Sequence, residues 1–328
     1  MSSLPKPLQA YERYSGKAIL SEIALLSQKL SGKSVQFICS AIPDFPESAG
    51  KIVGLLGELG LKVVITDTPD PAADYIFVFC QKVYSQVRQK NRGTARWIWA
   101  GEEIKEDRAL IALYDAAVFS SPVLSQTLPI PQYLVPYAID PLDSRNRELS
   151  AGEISRLVKR FGVEGKKPLL VMASSSSAIK DQAALRRMHE MIKKKNDCQL
   201  IIAGKGEVSD LEVNALQRQA SVVLMQSGKG SPGEQVAEAL WKGKPVVLSA
   251  ANGSPFQIIH NVTGLLVHSV EGAAYQVRYL LNNKERARSL GKAGQGSIKE
   301  NYLITNGLKA YLLVMLAVAH PDWKLIEI

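Results

Sequence analysis

The turn "SGKGSPG", Ser227 to Gly233, is built from residue types that hold anions. Gly228, Gly230 and Gly233 carry no side chain to keep a ligand off the backbone, and a helix is predicted directly behind them. Ser231 reads as its N-cap, Pro232 as its first helical residue, and Glu234, three residues after the cap, completes a capping box. Free N–H groups and the positive end of the helix dipole at such a start suit a diphosphate. Turns of this kind are common in α/β proteins, so the motif alone names no ligand. The turn holds no carboxylate that would take the hydroxyls of a sugar; Glu234 and Glu238 follow it, four residues apart on one helical face.

The remaining reactive residues narrow the chemistry. Cys39, Cys80 and Cys198 lie far apart inside apolar, strand-like runs, which reads as buried reduced thiols rather than a disulfide framework or a metal site. No metal and no cofactor is expected. A net charge of +9 favours phosphates, nucleotides or nucleic acid as partners. The densest basic cluster, "RRMHEMIKKK" from Arg186 to Lys195, ends a predicted helix, where cations complement the dipole. It has no nucleic-acid motif or stacking series of aromatics beside it, so binding of nucleic acid or another polyanion is the weaker reading.

These residues must be positioned by a chain of 328 residues, long enough for two domains of about 150 each. With 46% hydrophobic and 22% charged residues it has a globular composition. It lacks a run of about 18 apolar residues that would span a membrane, and its start lacks the apolar core of a secretion signal. The cytoplasm is the expected location. After an amphipathic helix over about Tyr11 to Leu30, short apolar runs alternate with helical patterns: "KSVQFICSA", "LKVVITD", "DYIFVFC", "ARWIWA", "DAAVFS" and "PQYLVPYA". A polar stretch, Ile139 to Glu153, reads as an interdomain connection. A second alternation follows through "PLLVMA", "CQLIIAG", "SVVLMQ", "PVVLSA" and "TGLLVH", and a largely apolar helix over about Asn306 to Val318 ends the pattern. Such alternation predicts parallel sheets covered on both faces, hence two Rossmann-like domains facing across a cleft. The expected boundaries are 1–138, with 306–328 packing back on it, and 139–305.

From Val135 onward the chain resembles the retaining GT-B glycosyltransferases of the trehalose synthase/trehalose phosphorylase group. "VPYAIDPLDSRNREL" looks like that group's interdomain segment, and "EVNALQRQASVVLMQS", "EALWKGKPVVLS", "PFQIIHNVTGLLV" and "ENYLITNGLKAYL" follow its C-terminal domain in order. "AYERYSGKAILSEIALLSQKLSGKSV" resembles its N-terminal opening. The resemblance implies a nucleotide-glucose or nucleoside diphosphate held by the C-terminal domain without metal, a sugar acceptor held by the N-terminal domain, and a homodimer.

Carried over position by position, the resemblance is uneven. Glu238 matches the second acid of the group's Glu–seven residues–Glu motif, which accepts hydrogen bonds from the donor ribose, and Lys180 matches the lysine that neutralises the leaving phosphate. Ser175 stands where the group has an arginine; serine offers phosphate no charged, bidentate fork. Gly230 stands at the first acid and Glu102 at the active-site histidine. Glu234 is the candidate substitute for the missing acid, and Lys229 for the missing arginine. The acceptor loop is replaced by "AIPDFPESAGK", Ala41 to Lys51, and the chain passes from "VVITDTPDPAA" to "DYIFVFC" without the long acceptor-side segment of the group. Two readings follow. In the first the protein retains a nucleotide-sugar cleft but is catalytically impaired, and acts by binding a ligand or partner. In the second it is a working retaining hexosyltransferase of altered specificity.

Overall fold

The computed structural model describes residues 4–39, 47–79, 95–100, 112–120, 128–174, 179, 181–226, 233–249 and 257–322. It divides into two units, 1–138 with 303–328, and 139–302. Among the described residues, no helix is long and apolar enough to cross a membrane.

The first unit opens with three helical pieces, α1 (Lys6–Gln9), α2 (Glu12–Ser15) and α3 (Lys17–Lys29). One continuous helix from Tyr11 was expected. Gly16, at φ 73° and ψ 159°, breaks it, because that conformation leaves the helical region and suits a residue without a Cβ. The strands β1 (Ser34–Ile38), β2 (Lys62–Thr66), β3 (Tyr75–Val78), β4 (Arg96–Trp99), β5 (Ala116–Phe119) and β6 (Gln132–Leu134) form one sheet in the order β2-β1-β3-β4-β5-β6. Every pairing is parallel.

Alternation along these strands sends Val35, Phe37, Phe77, Ile98 and Val118 to one face and Ile38, Ile76, Val78, Trp97, Trp99 and Phe119 to the other. The first face packs on α3, on α4 (Glu47–Glu58) and on a long helix from the far end of the chain, Ile304–Ala319. Register places Phe37 beside Phe77; their rings stack at 5.1 Å, and Tyr311 of the long helix meets Phe77 edge-on at 5.4 Å. Aromatic pairs of this geometry add about 0.5–1.5 kcal/mol each beyond their burial. Ser15 Oγ and Thr305 Oγ1 lie 2.6 Å apart, and the Arg96 guanidinium donates to the Val318 carbonyl at 3.2 Å.

The second unit contains α5 (Ala151–Val158), β7 (Leu169–Ala173), α6 (Gln182–Lys193), β8 (Gln199–Ala203), α7 (Asp210–Gln219), β9 (Val222–Gln226), α8 (Gly233–Trp241), β10 (Val246–Ser249), β11 (Leu265–Val267), α9 (Val270–Asn282) and α10 (Lys284–Asn301), leaving the long helix as α11. Its sheet is again parallel, in the order β11-β10-β9-β7-β8. Capping boxes start α5 at Ser150 with Glu153 and α7 at Ser209 with Glu212. Leu170, Met172, Val222, Leu224, Val247 and Leu265 bury against Leu185, Met188, Val277 and Leu290. The Ile139 N–H donates to the Tyr302 carbonyl at 2.8 Å, tying the unit's first residue to its last. Cys39 and Cys198 are buried, and burial raises the Cys198 pKa; Cys80 lies outside the described residues.

Close approach of α10 to the turn after α8 depends on one missing side chain. A Cβ on Gly291 would lie 2.3 Å from the Gly243 carbonyl oxygen, a backbone atom that cannot rotate away. Gly291→Ala is expected to cost about 3 kcal/mol, read as a lower midpoint in urea unfolding. Gly296→Ala on the same helix, where a Cβ meets open space, is expected to gain up to about 1 kcal/mol.

Candidate functional site

In the second sheet the chain runs from β7 outward to β8, then crosses back to β9 on the other side of β7. The order therefore reverses between β7 and β9. In open parallel sheets, ligands bind in the crevice at that reversal, outside the carboxyl ends of the strands. Here it lies beyond Ala173 and Gln226. Helix α6 follows β7, with Asp181 as its N-cap accepting from the Ala184 N–H at 2.8 Å. Helix α8 follows β9.

Two side chains tie these elements around the crevice. The Gln226 amide spans the Asp181 backbone, accepting from its N–H at 3.5 Å and donating to its carbonyl at 3.4 Å. At the end of β7, Ser174 Oγ donates to Gln235 Oε1 on α8 at 3.5 Å. Two helix N-termini thus border one strand reversal, an arrangement that favours an anion through free N–H groups and aligned dipoles.

Of the residues singled out from the sequence, Ser175, Lys180, Lys229, Gly230 and Glu102 lie outside the described residues, as does the N-cap Ser231. Gly233 is the first residue of α8 and Glu234 the second. Glu238 sits on α8 one turn beyond Gln235, and it is buried, 7% exposed. Its Oε1 accepts from Arg145 Nη1 at 3.3 Å.

Arg145 comes from the polar stretch expected to be a connection between domains. Instead, residues 143–147 are packed into the second unit, with Arg145 and Asn146 buried. Arg145 Nε lies 3.5 Å from Asp210 Oδ1 at the start of α7 and 3.8 Å from Asp143 Oδ1. Lys242, one turn past Glu238, donates to the Arg145 carbonyl and to Asn146 Oδ1 at 2.8 Å. Trp241 Nε1 donates to the Asn146 carbonyl at 3.0 Å. From α7, Asn214 Nδ2 donates to the carbonyls of Ser144 and Arg147, each at 2.9 Å. Arg218 Nη2 donates to those of Asn146 and Arg147 at 2.8 and 3.1 Å. An irregular segment can be buried only when its carbonyls find donors, and these side chains supply them.

The charges inside this cluster are perturbed by loss of water. Burial raises the Glu238 pKa, and the positive charges of Arg145 and Lys242 oppose that rise. Burial also lowers the Lys242 pKa to about 7, against the attraction of Glu238. Arg145 Nη1 lies 3.3 Å from Glu238 Oε1 and is the nearest counter-charge to that carboxyl among the described residues. Arg145, Asn146, Asn214, Arg218 and Lys242 were not marked by sequence reasoning. Only the i,i+4 spacing of Glu238 and Lys242 hinted that part of the set shares one helix face.

Residues 205–297, which carry most of this geometry, match the family described as glycosyl transferases group 1. The trehalose synthase of Thermococcus litoralis is 33% identical over 211 residues, 55% of this chain and 51% of that protein. That of Pyrococcus horikoshii is 30% identical over 246 residues, 63% of this chain and 58% of the relative. The chain spans about half the length of the curated relatives it matches. Among solved structures, a glycosyltransferase of Rickettsia africae superposes with a TM-score of 0.70 at 12% identity, covering 88% of this chain and 99% of that one. Anabaena HepE in complex with UDP-glucose gives 0.59 at 13% identity, covering 86% and 99%. The two parallel sheets are those of the GT-B fold.

Asn214 is fully buried and bonded on both sides of its amide, since it also accepts from Arg218 Nε at 2.8 Å. Asn214→Ala strands the Ser144 carbonyl, leaves that of Arg147 to Arg218 alone and takes the acceptor from Arg218 Nε; it is expected to cost about 2–3 kcal/mol, read as a lower urea midpoint with an unchanged slope.

Proposed function

We propose that this chain is a trehalose synthase-like protein that binds a nucleoside diphosphate, or its glucose conjugate, beyond the carboxyl ends of β7 and β9, with its sugar-transfer step impaired or lost. The fate of charge around the crevice carries this reading. The scaffold keeps two helix N-termini at the strand reversal, held by the Gln226–Asp181 and Ser174–Gln235 contacts. Lys180 remains in the sequence to offset a diphosphate, with Lys229 the candidate substitute for the missing arginine. Anabaena HepE, of the same fold, was solved with UDP-glucose, which supports a nucleotide-sugar as the ligand class.

The groups that would stabilise the transition state are depleted. Ser175, Gly230 and Glu102 stand where the resemblance calls for an arginine, an acid and a histidine. The acid that remains, Glu238, is buried against Arg145. Losing one charge stabiliser at a developing oxyanion costs about 3 kcal/mol, roughly a hundredfold in rate. Several such losses at one site, though not additive, leave little transfer.

A working retaining transferase with a smaller acceptor site is the second reading. The short connection from β2 to β3, Asp67 to Asp74, where the group has a long acceptor-side segment, favours it.

Titration calorimetry with UDP, ADP, GDP and their glucose conjugates separates these ideas from the start. Binding of at least one of them, with nucleoside diphosphate release at least about a hundredfold below an ordinary turnover of roughly 10 per second, is the expected result. Ordinary turnover that Glu238→Ala abolishes would establish the second reading, and no binding in the panel would remove the donor cleft from both.

A further inference from the structure

Arg145 lies in a segment that nothing above assigns to the ligand site, yet it makes an ion pair with the acid on the crevice helix. We propose that Arg145 is a positioning residue: it anchors one oxygen of Glu238 so that the other faces the 2′,3′-diol of a bound ribonucleotide, making the site selective for ribose hydroxyls. This inference rests on the nucleotide-binding reading given above and extends it to a residue outside the crevice.

Four observations support it. Gln235 reaches Ser174 at the end of β7, so that side of α8 borders the crevice, and Glu238 follows on it one turn later. The Arg145 contact occupies Oε1 of Glu238 at 3.3 Å, and a carboxylate offers two oxygens to donors. Arg145 is itself held from behind, by Asp210 at 3.5 Å and Asp143 at 3.8 Å. Its backbone carbonyl takes the Lys242 ammonium. An arginine fixed on that many sides has little freedom to follow Glu238; Glu238 must follow it.

The charge state matters as much as the aim. A ribose diol presents two O–H donors, and the free oxygen of an ionised carboxylate can accept from both, whereas a protonated carboxyl is a weaker acceptor. Burial pushes Glu238 toward the protonated form, while Arg145 and Lys242 oppose this and Asp143 and Asp210 reinforce it. Without the guanidinium the acid would lose both its aim and its main counter-charge.

The experiment uses the full chain and whichever of UDP, ADP and GDP binds most tightly, beside the 2′,3′-dideoxy form of the same nucleotide. The wild type is expected to favour the ribonucleotide about tenfold or more, the effect of a hydrogen bond to a charged group. Arg145→Met is expected to remove that preference by weakening the ribonucleotide alone, Glu238→Gln to do the same, and Arg145→Lys to restore part of it. A purely structural role predicts otherwise: Arg145→Met would weaken both nucleotides equally, in step with its melting temperature, and that result overturns the proposal. Should Arg145→Met fail to fold, the wild type, Glu238→Gln and Arg145→Lys still decide the matter. Equal affinity of the wild type for both nucleotides overturns this inference and leaves nucleotide binding standing, whereas no affinity for any of the three overturns both.

Discussion

Charge withdrawn from water must be met by opposite charge or by hydrogen bonds, and the second unit is organised around one place where this happens. Arg145, Glu238 and Lys242 are all buried, on a segment without regular structure, on the helix beside the strand reversal and on the turn that ends that helix. Taking such ions out of water costs several kcal/mol each even after relaxation, so each is tolerable only with its partners in place. Those partners come from α7 and α8 and from the segment itself: Asp210, Asn214, Arg218, Trp241 and Asn146. Removing one member would strand the others, which makes residues 143–147 part of the unit's core rather than a tether beside it.

The first unit solves a different problem. Its six-stranded sheet needs an apolar cover on the face that carries Phe37 and Phe77, and the cover includes a helix from the other end of the chain. Ile304, Leu308, Leu312 and Met315 are fully buried there. The core is therefore completed only after the intervening 164 residues, 139–302, have been synthesised, so contacts of very long sequence separation stabilise it. Such contacts are slow to form because the loop must close before any of them is made.

Scaffold and chemistry have separate physical requirements, which explains how one can persist where the other changes. The crevice exists because β8 and β9 leave β7 in opposite directions, and that follows from strand order and apolar packing. Transfer chemistry needs particular charges at particular positions, which strand order and apolar packing do not fix. Glu238 belongs to both classes. It is the acid that the resemblance assigns to the ribose, and it is also the counter-ion that makes Arg145 tolerable inside the protein.

The sequence by itself determined whatever depends on neighbours a few residues apart. Apolar runs of four or five residues alternating with helical spacing specified parallel α/β units, since side-chain direction repeats with the backbone geometry of each element. In "EALWKGKPVVLS" and the segments around it the resemblance fixed the GT-B fold. Gly16 was legible as a residue but not as a break, because its left-handed conformation is chosen by how α3 docks and not by the residues beside it. Tertiary structure alone decided that Arg145 meets Glu238 across 93 residues and that residues 143–147 are packed into the second unit. A charged side chain in a polar run looks the same in sequence whether water or a carboxylate satisfies it; which of the two does so is settled only when the helices close over it.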